Sequence, residues 1–114
     1  MSEVPTEKPR DDQKYHPLCY LSVLPRIIEA ARKCGYAIAV HGSLVRDFDL
    51  IAIPWEEEAV EAPKLVEAIM EVVGGFVLEG RGERNPTPKP HGRLAWSIHT
   101  GARLYIDLSV MPKT

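Results

Sequence analysis

Two aspartates, Asp47 and Asp49, head an apolar segment that runs to Ile53. The segment alternates and then turns apolar, which predicts a strand, so the two carboxylates point to one face and Phe48 to the other. Like charges at this separation repel each other, and a divalent cation relieves the repulsion. Because Mg²⁺ prefers carboxylate oxygens, the pair predicts a site for Mg²⁺ or Mn²⁺.

A third carboxylate, that of Asp107, is the only acidic group in the apolar segment Leu104–Val110, which also predicts a strand. A carboxylate in such a strand is costly to bury unless it is paired with a charge or bound to a metal. If the two strands are neighbours, Asp47, Asp49 and Asp107 converge on one side of the sheet. Three carboxylates can hold two metal ions about 4 Å apart, the arrangement used for phosphoryl or nucleotidyl transfer.

The pair Gly42 and Ser43 follows an uninterrupted apolar segment, Tyr36–Val40, which predicts a buried strand. Glycine lets the backbone approach a ligand closely. The serine hydroxyl and the N–H groups of the turn are suited to phosphate oxygens. His41 precedes the pair and offers a supporting contact at the same place.

Helices are predicted before the first strand and after the second. The first ends near Cys34, with Gly35 as the residue that stops it. Pro25 is expected in its first turn, with Ser22 as the cap, or at a kink of a longer helix. The second ends at Gly74-Gly75. The apolar positions that define the two helices are Leu21, Leu24, Ile27, Ile28 and Ala31, then Leu65, Val66, Ile69, Met70 and Val73.

Three more strands are predicted in the second half of the chain. Phe76–Leu78 is a short strand, and Gly80–Gly92 is a loop because it contains three prolines and three glycines. Leu94–Ile98 and Leu104–Val110 form a hairpin that turns at Thr100-Gly101. The order α-β-β-α-β-β-β predicts an α/β or α+β domain, with a mixed, mainly antiparallel sheet of four or five strands and helices on one face.

The composition predicts one domain. The chain has 114 residues and a net charge of −2, so no global charge draws it to nucleic acid or to an anionic membrane. Residues 1–16 are charged and nearly devoid of apolar side chains, which predicts a flexible tail before a single domain at 17–114. The sequence has neither a secretory signal nor a membrane-spanning segment, so we expect a cytoplasmic protein with no membrane partner. Trp55 and Trp96 are expected in the core or at its edge.

These motifs together resemble the polymerase-beta nucleotidyltransferase superfamily, and the minimal nucleotidyltransferases most closely. The resemblance covers residues 38–110 and rests on an apolar-Gly-Ser motif, an Asp-x-Asp-apolar motif and a later apolar-Asp-apolar strand. It implies that Ser43 and the Gly42 backbone bind phosphates and that Asp47 and Asp49 hold two metal ions. It also implies that Asp107 binds the catalytic metal and helps to activate the acceptor hydroxyl.

The resemblance implies a Mg²⁺- or Mn²⁺-dependent transfer of a nucleoside monophosphate from an NTP to a hydroxyl or phosphate of a protein, an RNA or a small molecule. Arg46 and Arg93 are candidate phosphate contacts. Only three residues separate Ser43 from Asp47, fewer than is typical of the family. Either Arg46 compensates, or less of the nucleotide is bound, or none is. A partner chain or a homo-oligomer is a candidate for the wall that larger members build from a second domain.

Other interpretations of the same residues stay open. The aspartate pair also fits a solvated strand start beside Arg46, Asp107 fits an ion pair with Arg93 or Arg103, and Ser43 fits an ordinary turn. At the level of function, one alternative is a catalytically degenerate member of the same fold that serves as a protein-binding, nucleic-acid-binding or regulatory module. Another is a metal-dependent phosphoesterase that uses water as its nucleophile.

Overall fold

The computed structural model describes residues 21–44, 48–74, 86–99 and 105–113. Within these ranges two helices and five strands follow one another along the chain. They are α1 (Leu24–Lys33), β1 (Tyr36–His41), β2 (Phe48–Pro54), α2 (Ala62–Val73), β3 (Thr87–Pro88), β4 (Leu94–His99) and β5 (Tyr105–Val110). A 3₁₀ turn, Pro90–Gly92, connects β3 to β4.

The five strands form one sheet in the order β1-β2-β5-β4-β3. The neighbours β1 and β2, β5 and β4, and β4 and β3 are antiparallel, whereas β2 and β5 run parallel. The β4–β5 pair is the hairpin that the sequence predicts. Side chains of both helices join the buried cluster on one face of the sheet. The mixed, mainly antiparallel α+β class predicted from the sequence is therefore confirmed.

The hydrophobic core lies between the helices and one face of the two central strands. Because side chains alternate along a strand, every second residue of β2 and of β5 reaches this face. These residues, all buried, are Phe48, Leu50, Ala52, Ile106, Leu108 and Val110. Ile27 from α1 and Leu65 from α2 pack on them and are themselves fully buried. The second face of the central strands carries Asp49, Asp107 and Ser109 together with Ile51 and Tyr105.

Both helices have a proline in their first turn, and a left-handed glycine follows the end of each. Pro25 lies in the first turn of α1, as one of the two predicted placements has it, because proline has no N–H to lose there. The residue at the cap position is Val23 rather than the predicted Ser22. Gly35 follows α1 with φ of 90°, and Gly74 ends α2 with φ of 69°. The predicted ends of both helices are confirmed.

Two further predictions about the fold are wrong in the described part of the chain. Thr87–Pro88, which the proline content assigned to a loop, pairs with Ala95 and Leu94 of β4. Proline is compatible with an edge strand because its missing N–H can face away from the neighbour. Trp96 is buried as expected, but the side chain of Trp55 is 76 % exposed rather than in the core.

Three predictions fall outside the described residues. They are the tail at 1–16, the strand Phe76–Leu78 and the turn at Thr100-Gly101. Within the described ranges, neither helix has the length and apolarity that crossing a membrane requires.

We predict that Gly35→Ala destabilises the fold far more than Gly74→Ala. Both glycines have a left-handed backbone, which costs an alanine about 1 kcal/mol. A Cβ at Gly35 would lie 2.7 Å from the Ala59 Cα, whereas a Cβ at Gly74 meets nothing within 4 Å. The overpacking adds about 1–3 kcal/mol at Gly35 alone. Urea denaturation measures both free energies of unfolding, and equal losses would contradict the packing argument.

We predict that Tyr36→Phe lowers the free energy of unfolding by about 1 kcal/mol at neutral pH, because the buried Tyr36 hydroxyl donates a 2.7 Å hydrogen bond to the Val60 carbonyl. Burial, and to a lesser degree Glu61, raises the pKa of that hydroxyl above its usual value, against an opposing effect of Lys113. A raised pKa means that the contribution of Tyr36 is present below pH of about 10 and is lost as the pH rises further. Denaturation curves at several alkaline pH values should therefore converge for the two proteins, and parallel pH profiles would contradict this assignment.

Candidate functional site

A row of four residues crosses the sheet at one level. Asp49 of β2 lies opposite His41 of β1 on one side and opposite Asp107 of β5 on the other, and Asp107 in turn lies opposite Ser97 of β4. Directly paired residues of neighbouring strands project from the same face of a sheet. We call His41, Asp49, Asp107 and Ser97 the polar row. It lies on the face opposite the helices, because its neighbours Phe48 and Leu108 point into the core.

The two aspartates of the row come from adjacent parallel strands. Neighbouring strands lie about 4.8 Å apart, so the Cα atoms of Asp49 and Asp107 are close to that separation. The convergence of the aspartates required these two strands to be neighbours, and they are. Both side chains are partly buried. Asp47 and Arg46 lie outside the described residues, so the predicted third carboxylate and the nearest predicted phosphate contact have no described position.

A serine orients the carboxylate of Asp107. The Ser97 hydroxyl donates a hydrogen bond of 3.1 Å to Oδ1 of Asp107 across the β4–β5 pair. A hydrogen bond to a charged acceptor contributes more than one between neutral groups, about 1.5–3 kcal/mol. Sequence reasoning missed Ser97. Ser97 could have been selected because it is a polar residue between Trp96 and Ile98. Its strand forms a hairpin with the strand that carries Asp107.

Arg93 brings a guanidinium to the same face of the sheet. Its Nη1 donates to the Ser109 hydroxyl at 3.0 Å, and its Nε donates to the Pro90 carbonyl at 3.1 Å. Ser109 follows Asp107 by two residues on β5, which is about 7 Å along the strand on the same face. The structure therefore holds Arg93 beside the polar row through Ser109, a residue that the sequence analysis did not select.

In the turn after β1, the backbone of Gly42 lies next to Asp49 of the polar row. Gly42 has φ of 82°, and a Cβ placed there would lie 2.6 Å from Oδ2 of Asp49. Only a residue without a side chain leaves that carboxylate where it is. Ser43 follows with an exposed side chain, as a phosphate-binding hydroxyl requires. Leu44 then has φ of 58°, which is unusual for a bulky residue. Such strain is commonly found at ligand sites, and neither residue type nor spacing predicts it at Leu44.

The polar row contains oxygen atoms of the kind that bind a hard cation, but only a few such groups lie in the described part of the chain. Carboxylate oxygens from Asp49 and Asp107 are the type that Mg²⁺ and Mn²⁺ prefer, and His41 places an exposed imidazole at the end of the row. Among residues 21–44, 48–74, 86–99 and 105–113, no group of three or more His, Cys, Asp or Glu side chains is arranged to hold a metal ion. The described residues thus supply two of the three predicted carboxylates.

Comparison with known proteins gives no family model, no curated protein and no solved structure that matches this chain significantly.

We predict that Gly42→Ala moves the Asp49 carboxylate while costing no more stability than Gly74→Ala. Both substitutions place alanine in a left-handed backbone, with a loss of about 1 kcal/mol. Only the Cβ at position 42 meets another side chain, and that side chain can rotate away. Carbon-detected NMR should show a shifted Asp49 carboxyl resonance in Gly42→Ala and an unshifted one in Gly74→Ala. An unmoved resonance in Gly42→Ala would disprove the contact.

Proposed function

We propose that this protein is a metal-dependent nucleotidyltransferase that moves a nucleoside monophosphate from an NTP to an acceptor hydroxyl or phosphate. One observation carries the proposal: Asp49 and Asp107 are direct partners on adjacent parallel strands, on the face of the sheet opposite the helices. The order of elements agrees with the resemblance noted above, since one helix precedes the Gly-Ser strand and another follows the Asp-x-Asp strand.

The metal would be held by the carboxylates of Asp49 and Asp107, with Asp47 as the third ligand that the resemblance implies. A bound Mg²⁺ or Mn²⁺ supplies charge neutralisation for the phosphates of the nucleotide and the pyrophosphate that leaves. The parallel strands hold the two carboxylates side by side before any ligand arrives, so little rearrangement is required on binding.

The phosphate contacts would come from the turn after β1 and from Arg93. Without a side chain, Gly42 leaves room for the Asp49 carboxylate next to its backbone, and Ser43 carries its hydroxyl on an exposed side chain. A guanidinium has five N–H donors, and the bonds to Ser109 and Pro90 use two of those of Arg93. Its remaining donors and its charge suit a phosphate group lying along the polar row.

Asp107 is the group assigned to the acceptor. An ionised carboxylate next to an acceptor hydroxyl takes up its proton as the oxygen attacks the α-phosphorus of the nucleotide. The bond from Ser97 to Oδ1 fixes the orientation of this carboxylate relative to the acceptor. Ser97 is thus a positioning residue, since it acts through Asp107 and not on the substrate.

A catalytically degenerate binding module is the second candidate. The Ser97–Asp107 hydrogen bond favours it, because this bond compensates the carboxylate within the sheet itself. The short spacing between Ser43 and Asp47 also favours it, because it leaves less backbone to surround a triphosphate. Such a module would recognise a protein or nucleic-acid partner and would have no requirement for the charge of Asp107.

We predict that NTP binding requires Mg²⁺ and is weakened by either Asp49→Asn or Asp107→Asn. Each substitution keeps the shape of the side chain but removes one negative charge from the proposed ligand set. The affinity for at least one NTP should fall by at least about tenfold, which corresponds to 1.4 kcal/mol. Isothermal titration with each of the four NTPs, with and without Mg²⁺, measures the change.

The matched control is Glu67→Gln, which removes one charge from an exposed position of α2 and should leave binding unchanged. If the folded wild-type chain binds no NTP, the enzyme hypothesis fails and the binding module takes its place. If an NTP is bound and hydrolysed without transfer to any acceptor, the phosphoesterase alternative replaces nucleotidyl transfer.

A further inference from the structure

Two basic residues face each other where β3 turns into β4. The antiparallel register pairs Pro88 with Leu94, so the next pair is Lys89 and Arg93, which we call the cation pair. Both have an extended backbone, and the Lys89 N–H donates a 3.0 Å hydrogen bond to the Arg93 carbonyl. Directly paired residues project from the same face of a sheet. Arg93 reaches Ser109 on the face of the polar row, so Lys89 lies on that face as well.

The cation pair is unfavourable without an anion. Like charges directly opposite each other on neighbouring strands destabilise a sheet. The described segment 86–99 contains no acidic residue, and the ion pairs among the described residues lie elsewhere. The two groups that accept hydrogen bonds from Arg93, the Pro90 carbonyl and the Ser109 hydroxyl, are neutral. Within the described part of the chain the charge of the pair is therefore not compensated, and a bound anion would compensate it.

The backbone that carries the pair is held in place before a ligand binds. Lys89 lies between Pro88 and Pro90, and a proline fixes its own φ and restricts the residue before it. Gly92 turns the chain back with φ of 77°, and a Cβ there would lie 3.3 Å from the Cγ of Pro112. The turn thus packs against the residues that follow β5. Little conformational freedom is lost when a ligand binds to such a backbone.

The cation pair and the turn after β1 lie on opposite sides of the polar row. Strand β1 ends at His41 of the row, so its turn lies before the row in the direction in which β2 and β5 run. Arg93 extends β4 to the level of Met111, four residues after Asp107 on β5. The turn and Arg93 are also three strands apart, which is roughly 14 Å. A phosphate at the turn and a phosphate at the cation pair therefore belong to two different ligands.

We propose that Lys89 and Arg93 form a second phosphate site, which holds a phosphate ester carried by the acceptor. The assignment to the acceptor rests on the proposed function, in which Asp107 faces the acceptor hydroxyl. Ser109, which Arg93 contacts, lies about 7 Å from Asp107 along the strand. This separation suits a hydroxyl and a phosphate ester on one sugar or on neighbouring sugars. The acceptor is thus a phosphorylated molecule, and the group that receives the nucleotide is its hydroxyl.

The test measures phosphate binding by the full chain without NTP and without metal, so it does not depend on the proposed reaction. Isothermal titration at low ionic strength uses two probes, ribose 5-phosphate and a single-stranded uridine pentanucleotide. Lys89→Gln removes the charge of an exposed side chain and should weaken the binding of at least one probe by at least about fivefold. Lys64→Gln is the matched control, because it removes the same charge from an exposed position of α2.

The two probes distinguish the sources of the phosphate. Binding of ribose 5-phosphate would assign the site to a phosphate monoester, and binding of the RNA alone would assign it to the phosphodiester of a nucleic-acid chain. Far-UV circular dichroism should be unchanged in both variants, which separates lost binding from misfolding. Saturating NTP with Mg²⁺ should not displace the bound probe, because the nucleotide and the probe occupy opposite sides of the polar row.

Three results would overturn the proposal. They are the absence of binding for both probes, equal weakening by Lys89→Gln and Lys64→Gln, and displacement of the probe by NTP, which would assign the cation pair to the nucleotide. A chain that binds a probe through Lys89 but binds no NTP would keep the phosphate site and refute nucleotidyl transfer alone. The failure of the site and the failure of the proposed function are thus distinguishable.

Discussion

The parallel pairing of β2 with β5 is the constraint on which the rest of the molecule depends. It places Leu50 beside Leu108 on the core face and Asp49 beside Asp107 on the other face. A shift of one residue in either strand would exchange the two faces, so a single register determines the core and the polar row together. The carboxylates of these two directly paired aspartates repel each other when both are ionised. Burying each large apolar side chain of these strands contributes about 2 kcal/mol, so the core imposes the register against that repulsion.

The sequence predicted those parts of the fold that depend on periodicity and on single residues. Alternation along β2 placed Phe48 on the face opposite the aspartates, where it is buried, and Gly35 and Gly74 marked the ends of the helices. The pairing of strands depends on contacts between residues far apart in the sequence. The sequence could therefore not predict that β2 and β5 are neighbours, and the convergence of the aspartates depended on that assumption. Thr87–Pro88 was missed because proline is compatible with an edge strand as well as with a loop.

The same distinction applies to the candidate site. Residue type and spacing selected Asp49, Asp107, Gly42 and Ser43. The charge of a carboxylate and the backbone freedom of glycine are properties of the residue type, so they can be recognised without knowing the neighbours. Ser97 and Ser109 are ordinary serines until β4 and Arg93 are placed next to them. Trp55 is an ordinary aromatic residue by composition, and only the end of β2 at Pro54 leaves its side chain in solvent. Residues that act through their neighbours become visible only once the strand order is known.

The position of the polar row on the β2–β5 seam has a consequence for folding. β1–β2 and β4–β5 are pairs of strands close in sequence, and each can form by a short loop closure. The seam between them closes only after α2, β3 and β4 have been traversed, which makes it the slower step. A partly folded chain that holds either pair alone contains one aspartate of the row and no site. The two carboxylates thus meet at the last stage of assembly, so any ligand that binds both of them recognises the completed fold and stabilises it over every intermediate.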